Sequence, residues 1–456
     1  MPPRPRTARP EPRGAALPRW ALAAAMGMTL AFAAALSPAA AQYIPPGSTT
    51  AGSATASGGD GAGIPPREAL VDRYSEARWN AGPVRLQPWL GIRDAAFVSD
   101  SGAVGGELEG EDFTVTAGAG VRAYLKTGSK VFWSAHALPE YVWWQDFERK
   151  RRLNASYGAG VFGYLNRLTF EISQRRIEEQ AYFSAELQEL TSTRRDLSRL
   201  ALALRLGSRL ELFARGRLQD LRSRETESPV FALLDRDEEA LELGARYRLP
   251  SGLWLQLGLE DRTTDFAEGA RNLSHTAKAE RLGLGFEDPR LELRLGLASS
   301  SLEPEDASEL RSADETTGFL DFLWRLSHRL DLLAYARRDL TFSVDPSSSY
   351  FIGRRRGLWL DLRFRFGVLG LFGELGEDGF EPLAGGGLQR LDDVTAAGAE
   401  LRVELGRLAS LRLRATRTEY DSNLDAFDRE VTAVGLTVEA GAVLERLRLG
   451  GRGGGW

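Results

Sequence analysis

The feature that most constrains this chain is a strict alternation of apolar and charged residues. In LSRLALALRLGSRLELFARGRLQD (197–220), Leu200, Leu202, Leu204 and Leu206 take every second place. After Gly207-Ser208, Leu210, Leu212, Ala214, Gly216 and Leu218 do the same. Arg199, Arg205, Glu211, Arg215 and Arg217 fall between them. A period of two describes a strand, whose side chains alternate faces; a helix would repeat its apolar positions at three and four. Two such runs about Gly-Ser read as a hairpin with one hydrocarbon face and one charged face.

The same division recurs along the chain. Leu291, Leu293, Leu295 and Leu297 oppose Glu292 and Arg294. Leu358, Leu360, Leu362, Phe364 and Phe366 oppose Trp359, Asp361, Arg363 and Arg365. Leu401, Val403 and Leu405 oppose Glu400, Arg402 and Glu404. From residue 84 the pattern predicts about eighteen strands (16–18) joined by connections that are alternately short and long. The short ones are KTGSK (126–130), NR (166–167), GS (207–208), PSG (250–252), EDPR (287–290), SH (327–328), GVL (367–369) and GRLA (406–409). The long ones are polar and mostly acidic: 99–112, 221–239, 301–315, 376–393 and 419–430.

Keeping every long loop at one end is the layout of an all-β transmembrane antiparallel barrel, with short periplasmic turns and long extracellular loops. Closure removes the sheet edges, which lipid requires because no water is there to satisfy free backbone groups. An arginine turned toward lipid at mid-depth costs about 2–4 kcal/mol, so the leucine face meets lipid and the arginine face meets the interior. Tyr247, Phe286 and Phe366 lie outward beside short turns, as an interfacial belt would. Two stretches fit less well. Residues 130–144 are apolar on both faces and contain Pro139, and residues 370–376 are short for a spanning strand.

Ahead of the barrel, Arg4, Arg6, Arg9, Arg13 and Arg19 precede an apolar core (21–36) and a small-residue site, Ala39 and Ala41, before Gln42. This is the layout of a signal peptide over 1–41, with an uncleaved anchor helix as the alternative. It predicts export, by a cleaved signal, to the outer membrane. Residues 42–83 read as a periplasmic linker, Gly/Ser-rich to 63, with a short helix in 64–80 that starts at Pro66. That segment lies in the periplasm, plugs a lumen or forms a loosely ordered tail. The barrel is expected over 84–450, with a tail over 451–456 ending in Trp456. Absence of cysteine closes disulfide, thiolate and lipid-anchor chemistry.

Net charge is −5, too mild to imply a nucleic-acid partner. Of 58 basic residues only Lys126, Lys130, Lys150 and Lys278 are lysine, so the charged face is built of guanidinium. Parity puts Arg122, Arg205, Arg215, Arg217, Arg246, Arg248, Arg294, Arg363, Arg365, Arg402, Arg412 and Arg414 on the inner wall as pore-lining candidates. Arg262, Arg281 and Arg325 join them, against inward acids such as Glu171, Glu211, Glu242, Glu260, Asp331, Asp361 and Glu400. Rings of arginine favour anions, and guanidinium pairs bidentately with carboxylates, those of uronic acids included. Cross-strand pairing that only stabilises the wall is the alternative, and both hold at once if the charges are shared. Inward glycines (Gly118, Gly120, Gly158, Gly160, Gly244, Gly258, Gly283, Gly285 and Gly296) are expected to widen the passage.

Catalytic signals are sparse. There is no Gly-rich phosphate loop, zinc-ligand spacing or EF-hand, so no cofactor or metal is expected. Of His136, His275 and His328, only His275 has Ser274 and Asn272 nearby, and proximity alone does not make a triad. The chain reads as a non-enzyme.

Two segments carry a resemblance. VRLQPWLGIRDAAF (84–97) opens the barrel after the linker, and EDFTVTAGAGVRAYL (111–125) returns from the first loop. They resemble the outer-membrane β-barrel porins found with bacterial exopolysaccharide export systems, and the layout matches over about 84–450. The resemblance implies a porin that carries a secreted polysaccharide, anionic polymers included, together with a periplasmic polysaccharide-export partner. Two other readings stand beside it. One is a general or anion-preferring solute-diffusion porin, which an inward-folded constriction loop would favour; 174–195 and 221–239 are the longest candidates. The other is a closed structural or adhesion barrel filled by side chains or by residues 64–80. On the secretion reading, Arg363→Glu with Arg365→Glu impairs transport of an anionic polymer.

Overall fold

The computed structural model describes residues 64–77, 79–101, 110–182, 190–224, 235–267, 273–305, 310–343, 345, 347–405 and 409–440. The expected signal peptide, the Gly/Ser-rich part of the linker, the stretch 441–450 and the tail 451–456 lie outside them.

Helix α1 (Arg67–Glu76) comes first, with Pro66 as its N-cap residue. A three-residue strand, β1 (Trp79–Ala81), follows. Eighteen long strands come next. They are β2 (Val84–Ser101), β3 (Gly110–Thr127), β4 (Val131–Trp144), β5 (Arg152–Tyr164), β6 (Leu168–Tyr182) and β7 (Leu190–Leu206). Then come β8 (Leu210–Ser223), β9 (Arg236–Arg248), β10 (Leu253–Phe266), β11 (His275–Glu287), β12 (Leu291–Pro304) and β13 (Ala313–Arg325). The last are β14 (Leu330–Phe342), β15 (Ser348–Phe364), β16 (Gly367–Pro382), β17 (Leu391–Leu405), β18 (Ala409–Ser422) and β19 (Arg429–Ala440).

From β2 to β19 each strand pairs antiparallel with its neighbour in sequence, and β19 pairs back onto β2 from Glu430↔Ser101 to Ala440↔Leu90. The sheet is therefore a closed 18-stranded antiparallel barrel, with β1 added to the turn end of β2. No described helix is long and apolar enough to cross a membrane.

The short connections end in tight turns, as at Gly207, whose φ of 75° suits glycine in the β7–β8 turn. At the other end the strands run further than the sequence pattern suggests. β6 and β7 extend through most of 174–195, and β16 continues through Gly376–Pro382, so both expected loops are largely strand. The GVL turn is corrected too: Arg365 and Phe366 make that turn, while Gly367 to Leu369 belong to β16. This restores a full spanning strand at 370–376. Most of the GRLA turn, 406–408, lies outside the described residues. Residues 131–144 form one unbroken strand: Pro139 sits on the outward face opposite Ala155, and the inward Phe132, Leu138 and Val142 are buried.

Outward positions near the turn end carry the exposed large hydrophobics, among them Leu200, Leu202, Leu204, Leu257, Leu259 and Leu358. Packing on the inside is divided among small apolar clusters within a polar wall.

Candidate functional site

The lumen wall is built by the inward member of each alternating pair. Most of its glycines do not widen the bore as the sequence suggests, because neighbouring side chains fold over them; Gly258 and Gly283 have only ordinary contacts at 3.5 Å. A Cβ on Gly285 would lie 2.1 Å from the Trp254 ring, and one on Gly296 would lie 2.3 Å from the Phe319 ring. One on Gly244 would meet Phe213 at 2.3 Å, and one on Gly158 would meet His136 at 2.5 Å. These glycines are seats that let large side chains lie flat along the sheet.

The twelve arginines expected to line the pore separate into two levels. Close to the short turns, Arg205, Arg246, Arg294, Arg363, Arg402 and Arg412 alternate with acids. Arg205 lies 3.6 Å from Glu211, and Arg402 lies 2.8 Å from Asp361 and 3.0 Å from Glu400. Arg363 pairs with Asp331, Arg246 reaches Gln256 at 2.7 Å, and Arg412 approaches Glu400 at 3.9 Å. Arg294 lies 4.0 Å from Glu287. Arg248 ends β9 exposed at the turn, and Arg365 is itself an exposed turn residue, so both stand at the turn end of the barrel. This lower ring is a network of shared charges, the arrangement that stabilises a wall.

Higher up, Arg122, Arg215, Arg217, Arg262, Arg281 and Arg414 face inward, joined by Arg175, Arg199, Arg337 and Arg355. Register places Arg199 directly opposite Arg217 and Arg337 directly opposite Arg355. Acids at this level are fewer: Arg215 meets Glu242 at 2.9 Å, Arg281 pairs with Glu260, Arg337 lies 3.6 Å from Asp321, and Arg355 meets Asp378 at 2.6 Å and Glu374 at 3.7 Å. Arg122, Arg262 and Arg414 have no ion pair to a carboxylate among the described residues. The wall thus carries a belt in which guanidinium outnumbers carboxylate.

Sequence reasoning missed Arg175, Arg337 and Arg355 because each adjoins another arginine. In Arg175-Arg176, Arg337-Arg338 and Arg354-Arg355-Arg356, strand parity sends neighbours to opposite faces. The alternation that found the leucines also resolves these runs, once the strands are known to extend through them.

Toward the loop end from the belt, the wall folds into itself. β13 and β14 stay paired only as far as Gly318↔Arg338, whereas β14 and β15 stay paired to Phe342↔Tyr350. Beyond the fork, Leu340 and Phe342 keep the parity of the outward Leu332 and Ala336. Yet they pack with Leu221 of β8, Leu302 of β12 and Ala313 of β13, with Phe266, Tyr350 and Ile352 around them. The His275 ring of β11 is 4.7 Å from that of Phe342, and the guanidinium of Arg236 on β9 is 5.2 Å from it. Leu221, Phe266, His275 and Leu302 all have inward parity. The end of β14 has therefore parted from β13 and folds across the inner wall of β8 to β12, while its partner β15 stays paired with β16 as far as Ser348↔Pro382.

Of the two loops proposed from length, 183–189 and 225–234 lie outside the described residues; among the described residues the inward-folded element is the end of β14 with its partner on β15. Three tethers hold it. Arg338 donates to the Thr316 carbonyl and lies 2.7 Å from Glu315, covering the β13 edge left at the fork. The Arg311 N–H donates to Ser349 Oγ at 3.1 Å. Arg390 lies 3.4 Å from Asp345, pairs with Asp392 and sits 3.6 Å from the Phe427 ring centroid and 4.4 Å from that of Phe380.

The turn end is narrowed separately by α1. Leu70 packs on the inward Phe132 and Phe162, with Val71 and Tyr164 beside them. Arg67 donates to the Ser129 carbonyl at 3.2 Å, and Tyr164 Oη donates to the Pro65 carbonyl at 2.5 Å. The helix expected within 64–80 thus lies against the inner wall at the turn end.

The three histidines stand in separate surroundings. The His275 Nδ1 faces the Leu273 carbonyl at 2.9 Å, while the Ser274 hydroxyl accepts the Phe266 N–H at 3.0 Å; Asn272 lies outside the described residues. His136 contacts Ser156 Oγ at 3.1 Å, and His328 is an exposed turn residue. No group of three or more His, Cys, Asp or Glu that could hold a metal occurs among the described residues.

No family model matches the chain, and no curated protein matches it. Solved structures do. OccK9 (OpdG) of Pseudomonas aeruginosa is 13% identical with a TM-score of 0.49, over 78% of this chain and 98% of that one. OpdK of the same organism, solved with vanillate, is 12% identical with a TM-score of 0.48, over 78% and 98%. OccK2 (OpdF), solved in complex with glucuronate, is 13% identical with a TM-score of 0.45, over 78% and 96%. No residue role or solute passes from them to this chain.

Proposed function

We propose that the protein is an outer-membrane porin, a passive channel that prefers small anionic solutes. The single observation that carries this is the inward arginine belt below the inward-folded end of β14. A solute crossing the belt moves within reach of guanidinium groups that outnumber carboxylates at that level, and such rings favour anions. The outward leucine band supplies the lipid contact that such a barrel needs, and closure leaves no open edge. The chemistry is recognition and passage, not bond breaking.

Secretion of an exopolysaccharide is less well supported. A polymer path calls for an open bore, and here α1 lies at the turn-end rim while the end of β14 folds into the interior toward the loop end. Proteoliposome swelling tests the proposal. A small monocarboxylate should enter about tenfold faster than an amine of equal size, as focusing by a charged passage implies. Equal rates, or faster entry of the amine, would overturn it.

A further inference from the structure

We infer that the outer face of β14 and β15 holds the phosphate of a phosphorylated lipid in the leaflet at the loop end. The inference concerns the outside of the barrel and is independent of what the lumen carries; it rests on the barrel lying in lipid. Arg338 stands opposite Arg354 in register, and Arg356 lies two places further down β15, opposite Ala336. All three share the outward parity of Leu358, which is 58% exposed. They are the first charged side chains above Leu358, Leu360 and Leu362, where acyl chains give way to headgroups.

The position differs from β6 to β13; on β18 Arg417 also leads the outward polar residues, but it is paired with Glu419 and, at 2.9 Å, with Glu430. The first polar outward residue above the leucine band is acidic or neutral on β6 to β13, as with Gln174, Asp220, Glu239 and Asp261. On β14 and β15 it is arginine. Arg354 meets Glu377 at 2.7 Å and Arg338 meets Glu315 at 2.7 Å. Arg356 is exposed and has no ion pair to a carboxylate among the described residues. The zone therefore carries three cations and two adjoining anions, and a guanidinium fork fits phosphate oxygens bidentately. A phosphorylated lipid supplies both halves of the complement, phosphate for the arginines and acyl chains for the leucines beneath them.

The test is native mass spectrometry of the full chain in mild detergent, titrated with a bisphosphorylated glycolipid or with the same lipid stripped of phosphate. The wild type should retain the phosphorylated form preferentially. Arg354→Gln with Arg356→Gln should weaken that retention about fivefold for each arginine removed. The single Arg356→Gln, at an exposed site, serves if the pair fails to fold, and Arg356→Lys should restore part of the binding as a point charge. Equal retention of both lipids by the wild type, or unchanged retention by the Arg356→Gln variant, would overturn the inference while leaving the barrel's membrane placement standing.

Discussion

Adjacent arginines on these strands serve different media. Arg355 is buried against Asp378 inside the wall, while Arg354 and Arg356 beside it face outward. Residue-scale roles follow from level as much as from face. Arg122 and Arg262 belong to the basic belt, so Arg122→Glu with Arg262→Glu should reduce or reverse any anion preference, read as a change in reversal potential. Arg363 belongs to the paired ring at the turns, where Asp331 is fully buried. Arg363→Gln should leave selectivity nearly unchanged and lower stability by about 1–3 kcal/mol, because it strands a buried acceptor. The urea midpoint of the refolded barrel measures that loss. Alternation in the sequence assigned most of these arginines to the inner face. It could not rank them, because the count of nearby carboxylates at each height depends on cross-strand register.

At the scale of single elements, period two identifies a face and not the medium that face meets. Leu340, Phe342, Tyr350 and Ile352 continue the outward apolar pattern of β14 and β15 and read as more lipid-facing wall. Only their contacts with Leu221 and Leu302 show that the end of β14 has turned inside. The signal of that turn is not local: it is the loss of β13 pairing above Arg338. Arg390→Ala should free the tip at Asp345 and increase open-channel noise in single-channel recordings. Helix α1 was visible as a short segment beginning near Pro66, but its docking depends on Phe132 and Phe162, which are distant in sequence. Leu70→Asp places a charge against those rings, so it should detach the helix and raise conductance. Gly285→Ala should displace Trp254 and destabilise the barrel by about 1–3 kcal/mol, as overpacking does.

For the whole molecule, the closed eighteen-stranded barrel was legible because lipid and water impose opposite demands on its two faces at every strand. Its contents were less so, because a lumen is filled from parts that no repeat announces: a strand end, a terminal helix and rings seated on glycine. Together they turn a bore wide enough for an aqueous channel into a narrowed passage with a basic belt. The most direct measurement is the zero-current potential of the purified protein in a neutral planar bilayer under a salt gradient. The account predicts an open channel with the sign of anion preference. Cation preference, or a potential near zero in a conducting channel, would contradict the belt as the selective element, and absence of conductance would contradict the channel itself.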